Sequence, residues 1–124
     1  MTEKSDEPIS LSEAILYDYK EGIEDMNKKM PVLGDAYQAF QAACFEEGQL
    51  SKKVKQLIAL GISIGSQDEY AMVYHTKGCM DQGCTAEEIF ETIGVAAAFG
   101  GGGAMSQGVT IVQQAMEEMG SINH

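Results

Sequence analysis

Arginine and tryptophan are absent from this chain of 124 residues, and its 8 lysines stand against 19 acidic residues, for a formal net charge of −11. Nucleic acids and anionic membrane surfaces are bound by clustered basic side chains, so we expect neither a nucleic-acid partner nor a membrane partner. Without arginine, no side chain can hold a carboxylate or phosphate through a bidentate guanidinium group. An anionic ligand would need lysine, backbone N–H groups or a helix N-terminus.

Cysteine and long apolar runs are also scarce. Cys44, Cys79 and Cys84 form no CxxC pair, and one of them would stay unpaired in any disulfide scheme. The sequence contains no run of about 18 apolar residues, so it predicts no membrane span. The acidic N-terminal residues lack the apolar stretch of a signal peptide. We therefore expect a cytoplasmic protein with reduced thiols.

Helix-capping signals recur along the rest of the chain. We take residues 1–9 as a polar tail and residues 10–124 as a single domain, which suits the length. The capping-box pattern S/T-x-x-E starts at Ser10, Ser66 and Thr85. Pro31 suits a first helical turn and Ser51 suits an N-cap. The predicted helices span residues 11–29, 32–47, 52–65, 67–82, 86–99 and 104–119.

The predicted fold class is therefore all-α, with about six helices. Residues 57–65 alternate at their end like a strand, but the N-cap before them favours a helix. No Asn-Gly or Asp-Gly turn joins two β-branched runs, so a sheet has little support.

The segment IGVAAAFGGGGAMSQG, residues 93–108, is rich in small residues. Glycine and alanine let another backbone approach closely, within a subunit or between subunits. We expect Gly100–Gly103 to break the helix, and the N–H groups there could also face an anion at the start of the last helix. Packing is the favoured interpretation, because the glycine pattern matches no nucleotide-binding fingerprint.

His75 is the only histidine apart from the last residue, and it lies on the predicted helix 67–82. Helical spacing places it on one face with four other residues, namely Ala71, Gly78, Cys79 and Gln82. The opposite face should hold Glu69, Thr76 and the Lys77/Asp81 pair. Two interpretations of a mostly buried imidazole stay open: a hydrogen-bonded core residue, or an acid/base group that acts in a pocket. With Cys79 it offers only two metal ligands, so we expect no metal site.

Residues 50–102 resemble the carboxymuconolactone decarboxylase family, which includes the alkylhydroperoxidase-D-like proteins. The markers are LSKKVKQLIAL, a histidine six residues after an acid, GCTAEEIFE, and a small-residue helix that ends in glycines. The resemblance implies an alkylhydroperoxidase-D-like helical domain. It also implies a homotrimer or homohexamer with small-residue helices at the contacts. We expect no cofactor.

The chain departs from the peroxidase branch of that family, which carries C-x-x-C-x-x-x-H and a glutamate nineteen residues before the histidine. Asp68 and Ala71 stand at the cysteine positions, and Gln56 stands at the glutamate position. Asp and Ala cannot form a reactive dithiol, and glutamine cannot take up a proton. The thiol peroxidase mechanism is therefore predicted to be absent.

The resemblance then favours the decarboxylase branch, a lyase-type activity that moves protons on carbon near a carbonyl. We expect acid/base chemistry of decarboxylation or isomerisation type on a small organic molecule in a pocket around His75, with Glu69 as a second catalytic residue. The predicted substrate-binding residues are Gln56, Asp68, Tyr70, Tyr74, Lys77 and Cys79. Two alternatives stay open: peroxiredoxin-type redox activity of non-motif cysteines such as Cys79 or Cys44, and a non-catalytic oligomeric binding subunit.

Overall fold

The structure is a computed structural model and describes residues 9–122. The predicted polar tail lies, except for Ile9, outside the described residues. Five helices come first, namely α1 (Leu11–Lys29), α2 (Pro31–Cys44), α3 (Lys52–Gly65), α4 (Glu69–Asp81) and α5 (Ala86–Gly100). The sixth runs without a break through α6 (Gly102–Gln107), a π-helical turn (Gly108–Val112) and α7 (Gln113–Ile122). No strand occurs in this part of the chain, so the predicted all-α class is confirmed.

Most predicted helix starts follow from side chains that cap free backbone N–H groups. The Ser10 hydroxyl accepts from the Glu13 N–H, and the Glu13 carboxylate accepts from the Ser10 N–H, both at 3.1 Å. Thr85 and Glu88 form the same reciprocal pair. The Ser51 hydroxyl accepts from the Val54 N–H at 3.1 Å. These three predicted caps are confirmed, and Pro31 occupies the first turn of α2.

The predicted capping box at Ser66 and Glu69 is wrong. Ser66 is the C-cap after α3, and its hydroxyl donates to the Ile62 carbonyl at 2.9 Å. Asp68 caps α4 instead, with its carboxylate accepting from the Ala71 N–H at 3.1 Å. Gln67 makes the turn between the two helices in the left-handed region, with φ of 58°. Glu69 is consequently the first residue of α4 rather than the third.

The core lies between α3, α4, α5 and the last helix. Its buried members are Leu60, Ile64, Met72, Cys79, Ile89, Ile93, Ala104 and Val112. Val73, Ala115 and Met119 form a smaller cluster, and Ile15 and Leu16 of α1 pack against it. The start of α1 is also tied to α7, because the Ser12 N–H donates to the Glu118 carboxylate at 2.9 Å.

The glycine-rich segment breaks the helix at a single residue. Gly101 has φ of 84° and ψ of −165°, a conformation open to glycine, while Gly100 ends α5 and Gly102 begins α6. A Cβ on Gly100 would lie 2.8 Å from the Ala104 Cβ, and one on Gly108 would lie 2.9 Å from the Ile93 Cγ2. At these positions the small residues permit close packing within the subunit.

α2 packs mainly against α1 and stands apart from the core. Gly34 is its only buried residue, and the side chain of Asn27 on α1 fills the place where a Cβ would be. The apolar residues Val32, Leu33, Tyr37 and Phe40 are all exposed. Within residues 9–122 no helix is long and apolar enough to cross a lipid bilayer.

Candidate functional site

His75 on α4 faces Gln56 on α3, and a hydrogen bond joins them. The His75 Nδ1 lies 2.9 Å from the Gln56 Oε1. An amide carbonyl oxygen only accepts hydrogen bonds, so Nδ1 carries the hydrogen. In the neutral imidazole the Nε2 then keeps a free lone pair, which is the form that a general base needs.

Gly78, one turn after His75 on the same helix, makes room for this hydrogen bond. A Cβ at Gly78 would overlap the side-chain amide of Gln56. The missing side chain thus allows the amide to lie against α4 and to reach the imidazole. Gly78 was placed on the His75 face from the sequence, but its steric role depends on the contact between the two helices.

Aromatic rings surround the imidazole. Phe45, the residue directly after α2, stacks on it with ring centroids 5.5 Å apart and an angle of 18°. Tyr74 meets it edge-on at 5.1 Å. Tyr70 lies one step farther away and stacks on both Tyr74 and Tyr19. Burial raises the pKa of Tyr70, so this ring stays protonated at neutral pH. Phe45 was not identified from the sequence, where nothing links it to a residue thirty positions later.

The half-buried imidazole is biased toward its neutral form. Burial lowers the pKa of His75 below its usual 6.5, and the charge of Asp68 acts in the opposite direction. Asp68 sits at the start of α4, where it also caps the helix. Near neutral pH the imidazole is therefore mainly an acceptor at Nε2.

Glu69, Lys77 and Cys79 were also predicted as site residues. Glu69 is exposed at the first position of α4, about 9 Å before His75 along the helix axis. Lys77 forms a surface ion pair with Asp81 at 3.0 Å. Cys79 is fully buried in the core, and burial raises its pKa to about 12.

The face of α4 predicted to lie opposite His75 contains one residue that is buried. Thr76 is fully buried, and its hydroxyl donates to the Met72 carbonyl at 2.6 Å. The buried side of α4 comprises Met72, Val73, Thr76 and Cys79. His75 lies at the edge of that side, because the core contacts of α4 are rotated from the face inferred from the sequence.

Two cavities open on the surface of α3, and one of them adjoins the site. One of about 280 Å³ is lined by Cys44, Phe45, Leu50, Lys55, Ile58, Ala59 and Ile62. A groove of about 690 Å³ runs between α3 and α5 and is walled by apolar side chains such as Ile58, Val95 and Phe99. His75 lines neither cavity, although Phe45 belongs both to the smaller cavity and to the surroundings of the imidazole.

Lys55 adds a charge to the smaller cavity. Its ammonium group donates to the Glu46 carbonyl at 2.6 Å. Among the residues that the structure covers, no group of three or more His, Cys, Asp or Glu side chains is arranged to hold a metal ion. Lys55 was not singled out from the sequence, because a lysine beside two others in a helical first turn also suits a plain surface role.

Comparison with known proteins places this arrangement in context. The sequence profile of the carboxymuconolactone decarboxylase family matches residues 31–114, more than half of the chain. An uncharacterised protein from the cox locus of Paracoccus denitrificans is 38% identical over 72 residues, which span 58% of this chain and 65% of that protein. An uncharacterised protein of Cupriavidus necator is 27% identical over 96 residues, covering 71% and 85% of the two chains.

Solved structures share the fold. A carboxymuconolactone decarboxylase family protein from Legionella pneumophila superposes with a TM-score of 0.80 at 26% identity, over 86% of this chain and 95% of that one. A protein of the same family from Thermotoga maritima, described with a suggested part in an antioxidative response, gives 0.74 at 23% identity, over 86% and 92%. At 23% identity, the similarity to the Thermotoga protein supports the shared fold alone.

Proposed function

The chain belongs to the carboxymuconolactone decarboxylase family, and from that premise we propose that it performs acid/base chemistry on a small organic molecule, with His75 as the proton carrier. The reaction is of the decarboxylation or isomerisation type. The observation that carries the proposal is the 2.9 Å hydrogen bond between the Gln56 Oε1 and the His75 Nδ1. It leaves the Nε2 as a base whose orientation and tautomer are set by a neighbouring helix.

In an isomerisation, the Nε2 takes a proton from a carbon next to a carbonyl, and the electron pair moves onto the carbonyl oxygen. The imidazolium then returns the proton to another carbon. Throughout this step the Nδ1–H stays bonded to Gln56, whose carbonyl dipole stabilises the imidazolium. The charge of Asp68 acts in the same direction. In a decarboxylation, the imidazolium would instead protonate the carbon that loses carbon dioxide.

The surroundings support a small, largely apolar substrate. Phe45 and Tyr74 flank the imidazole, and the adjoining cavity has a lysine at its wall. Since the chain has no arginine, Lys55 is the group that we propose for a substrate carboxylate. The roles predicted for Glu69, Tyr70, Lys77 and Cys79 stay predictions, as does the cytoplasmic location.

The test is deuterium exchange from D₂O into a panel of small keto acids and unsaturated lactone carboxylates. We expect the wild-type protein to catalyse exchange at the carbon next to the carbonyl of at least one class. The His75→Gln variant should lose this exchange while its helical content and thermal unfolding persist. The matched control is Glu87→Gln, because Glu87 is exposed in the first turn of α5 and lies outside the predicted site. Exchange that survives in His75→Gln would contradict the proposal.

A non-catalytic oligomeric binding subunit is the second candidate, favoured by the fact that His75 lines neither described cavity. For either function we propose self-association, as a homotrimer or homohexamer. Support comes from the apolar surface of the single chain, where Phe99 is 92% exposed, Val32 82% and Ile62 66%. Ile62 and Phe99 line the same groove between α3 and α5, and large exposed apolar surfaces mark interaction sites. Sedimentation velocity measures the assembly directly.

A further inference from the structure

The end of α4 brings two cysteines together through a local backbone motif. The Gly83 N–H donates to the Met80 carbonyl at 3.0 Å, and the Cys84 N–H donates to the Cys79 carbonyl at 2.9 Å. Gly83 has φ of 82°, the left-handed conformation that closes this motif. These are the two hydrogen bonds of a Schellman motif, in which the side chains at the positions of Cys79 and Cys84 contact each other.

Both cysteines are free of any disulfide, and the motif holds their side chains next to each other. They differ in access to solvent: Cys79 is fully buried in the core, while Cys84 packs against the same core and stays partly exposed. Lys53 of α3 and Glu88 of α5, themselves joined by a 3.0 Å ion pair, lie near Cys84. A reagent in solution can therefore reach Cys84, whereas Cys79 is closed to it.

We propose that Cys84 and Cys79 form a redox-active dithiol that exchanges with small disulfides such as glutathione disulfide. The Cys84 thiolate attacks one sulfur of the disulfide, and glutathione leaves as a thiolate. The Cys79 thiol then gives its proton to a glutathione thiolate and attacks the Cys84 sulfur, which releases the second glutathione. In sum, two protein thiols are oxidised to one disulfide, and one glutathione disulfide is reduced to two molecules of glutathione.

This site differs in place and order from a CxxC motif. It lies at the C-terminal end of α4, after His75, whereas the relay positions before the histidine are Asp68 and Ala71. Burial raises the pKa of both thiols, and the pKa of about 12 at Cys79 suits a resolving thiol. The partial exposure of Cys84 makes it the thiol that meets the disulfide. The pair is independent of the proton chemistry proposed for His75.

The test uses the intact reduced protein in glutathione buffers of rising oxidised fraction, followed by alkylation and cleavage before aspartate. Cleavage separates the three cysteines onto different peptides, residues 35–67, 68–80 and 81–124. We expect peptides 68–80 and 81–124 to become linked, and to separate again on reduction. Excess glutathione disulfide that leaves both thiols open to alkylation, or that links either peptide to residues 35–67, would overturn the proposal.

Single variants separate the two roles. In Cys79→Ala, the reaction should stop at a mixed disulfide between Cys84 and glutathione. In Cys84→Ser, the buried Cys79 should stay reduced, and Cys44→Ser, which removes an exposed thiol, should leave the link unchanged. If Cys79→Ala fails to fold, Cys84→Ser still decides the order, because the serine replaces a partly exposed side chain. Glutathionylation of Cys79 in Cys84→Ser would contradict the assigned order.

Discussion

α2 and α4 are similar in length but differ in what they bury. α2 has 14 residues and buries Gly34 alone, whereas α4 has 13 residues and buries four. α2 nevertheless carries large apolar side chains, with Phe40 65% exposed and Val32 82% exposed. α4 owes its position to the core of its own subunit. The apolar surface of α2 is exposed and is not covered by other parts of the described chain. This exposure is one basis for our proposal of self-association.

The largest effect should come from breaking the apolar surface of α2. Phe40→Glu places a charge on that surface, and we expect it to weaken self-association by about 2 kcal/mol or more, as for a central interface residue. Sedimentation velocity should show smaller species, and far-UV circular dichroism should show unchanged helical content. Gln38→Glu is the matched control, because it adds the same charge at an exposed polar position of α2. A Phe40→Glu protein that assembles like the wild type would contradict a role for α2 in self-association.

A smaller effect is expected where α4 meets α3. The Gly78→Ala methyl would overlap the Gln56 amide, so we expect a loss of about 1–3 kcal/mol of unfolding free energy, as in other overpacked sites. The displaced amide should also release the His75 Nδ1, which changes the ¹⁵N shifts of the imidazole. Gly94→Ala is the control, because nothing lies within 4 Å of its Cβ position in α5. There alanine should be neutral or stabilising by up to about 1 kcal/mol. Equal unfolding free energies and equal imidazole ¹⁵N shifts in the two variants would contradict the steric role of Gly78.

The smallest effect concerns the pH dependence of stability. Burial lowers the pKa of His75 in the folded state, so below pH 6.5 the unfolded chain binds more protons at this residue than the folded chain does. The folded state should therefore lose stability as the pH falls from 6.5 toward the lowered pKa of His75. Chemical unfolding of wild type and His75→Gln at a series of pH values isolates this contribution. A His75→Gln curve parallel to that of the wild type between pH 7 and pH 5 would contradict it.

The helix ends show how far local sequence signals reach. Ser10, Ser51 and Thr85 cap helices as predicted, because each cap needs only a hydroxyl and an N–H three residues later. At Ser66 the same pattern failed. Asp68, two residues later, supplies a stronger acceptor, and Gln67 turns the chain in between. When two possible N-caps lie within three residues, the sequence does not show which one caps the helix. The answer depends on where the preceding helix ends.

The contact between Cys79 and Cys84 could have been found in the sequence. Gly83 directly after a helical segment indicates a Schellman motif, which joins residues five apart. Phe45 offered no such signal. Its ring contacts His75, thirty positions later in the chain, and such a contact depends on how separate helices pack together.

The sequence by itself determined the all-α class, most helix boundaries and the choice of His75 and Gln56, because helical periodicity, caps and family motifs are carried by residues close in the chain or at set spacings. The tertiary structure decided that Gln56 bonds the Nδ1, that Gly78 makes room for it, and that Thr76 is buried. It also decided that α2 leaves its apolar side chains exposed. The physical reason is that each of these depends on the rotation and distance of one helix relative to another, which packing sets.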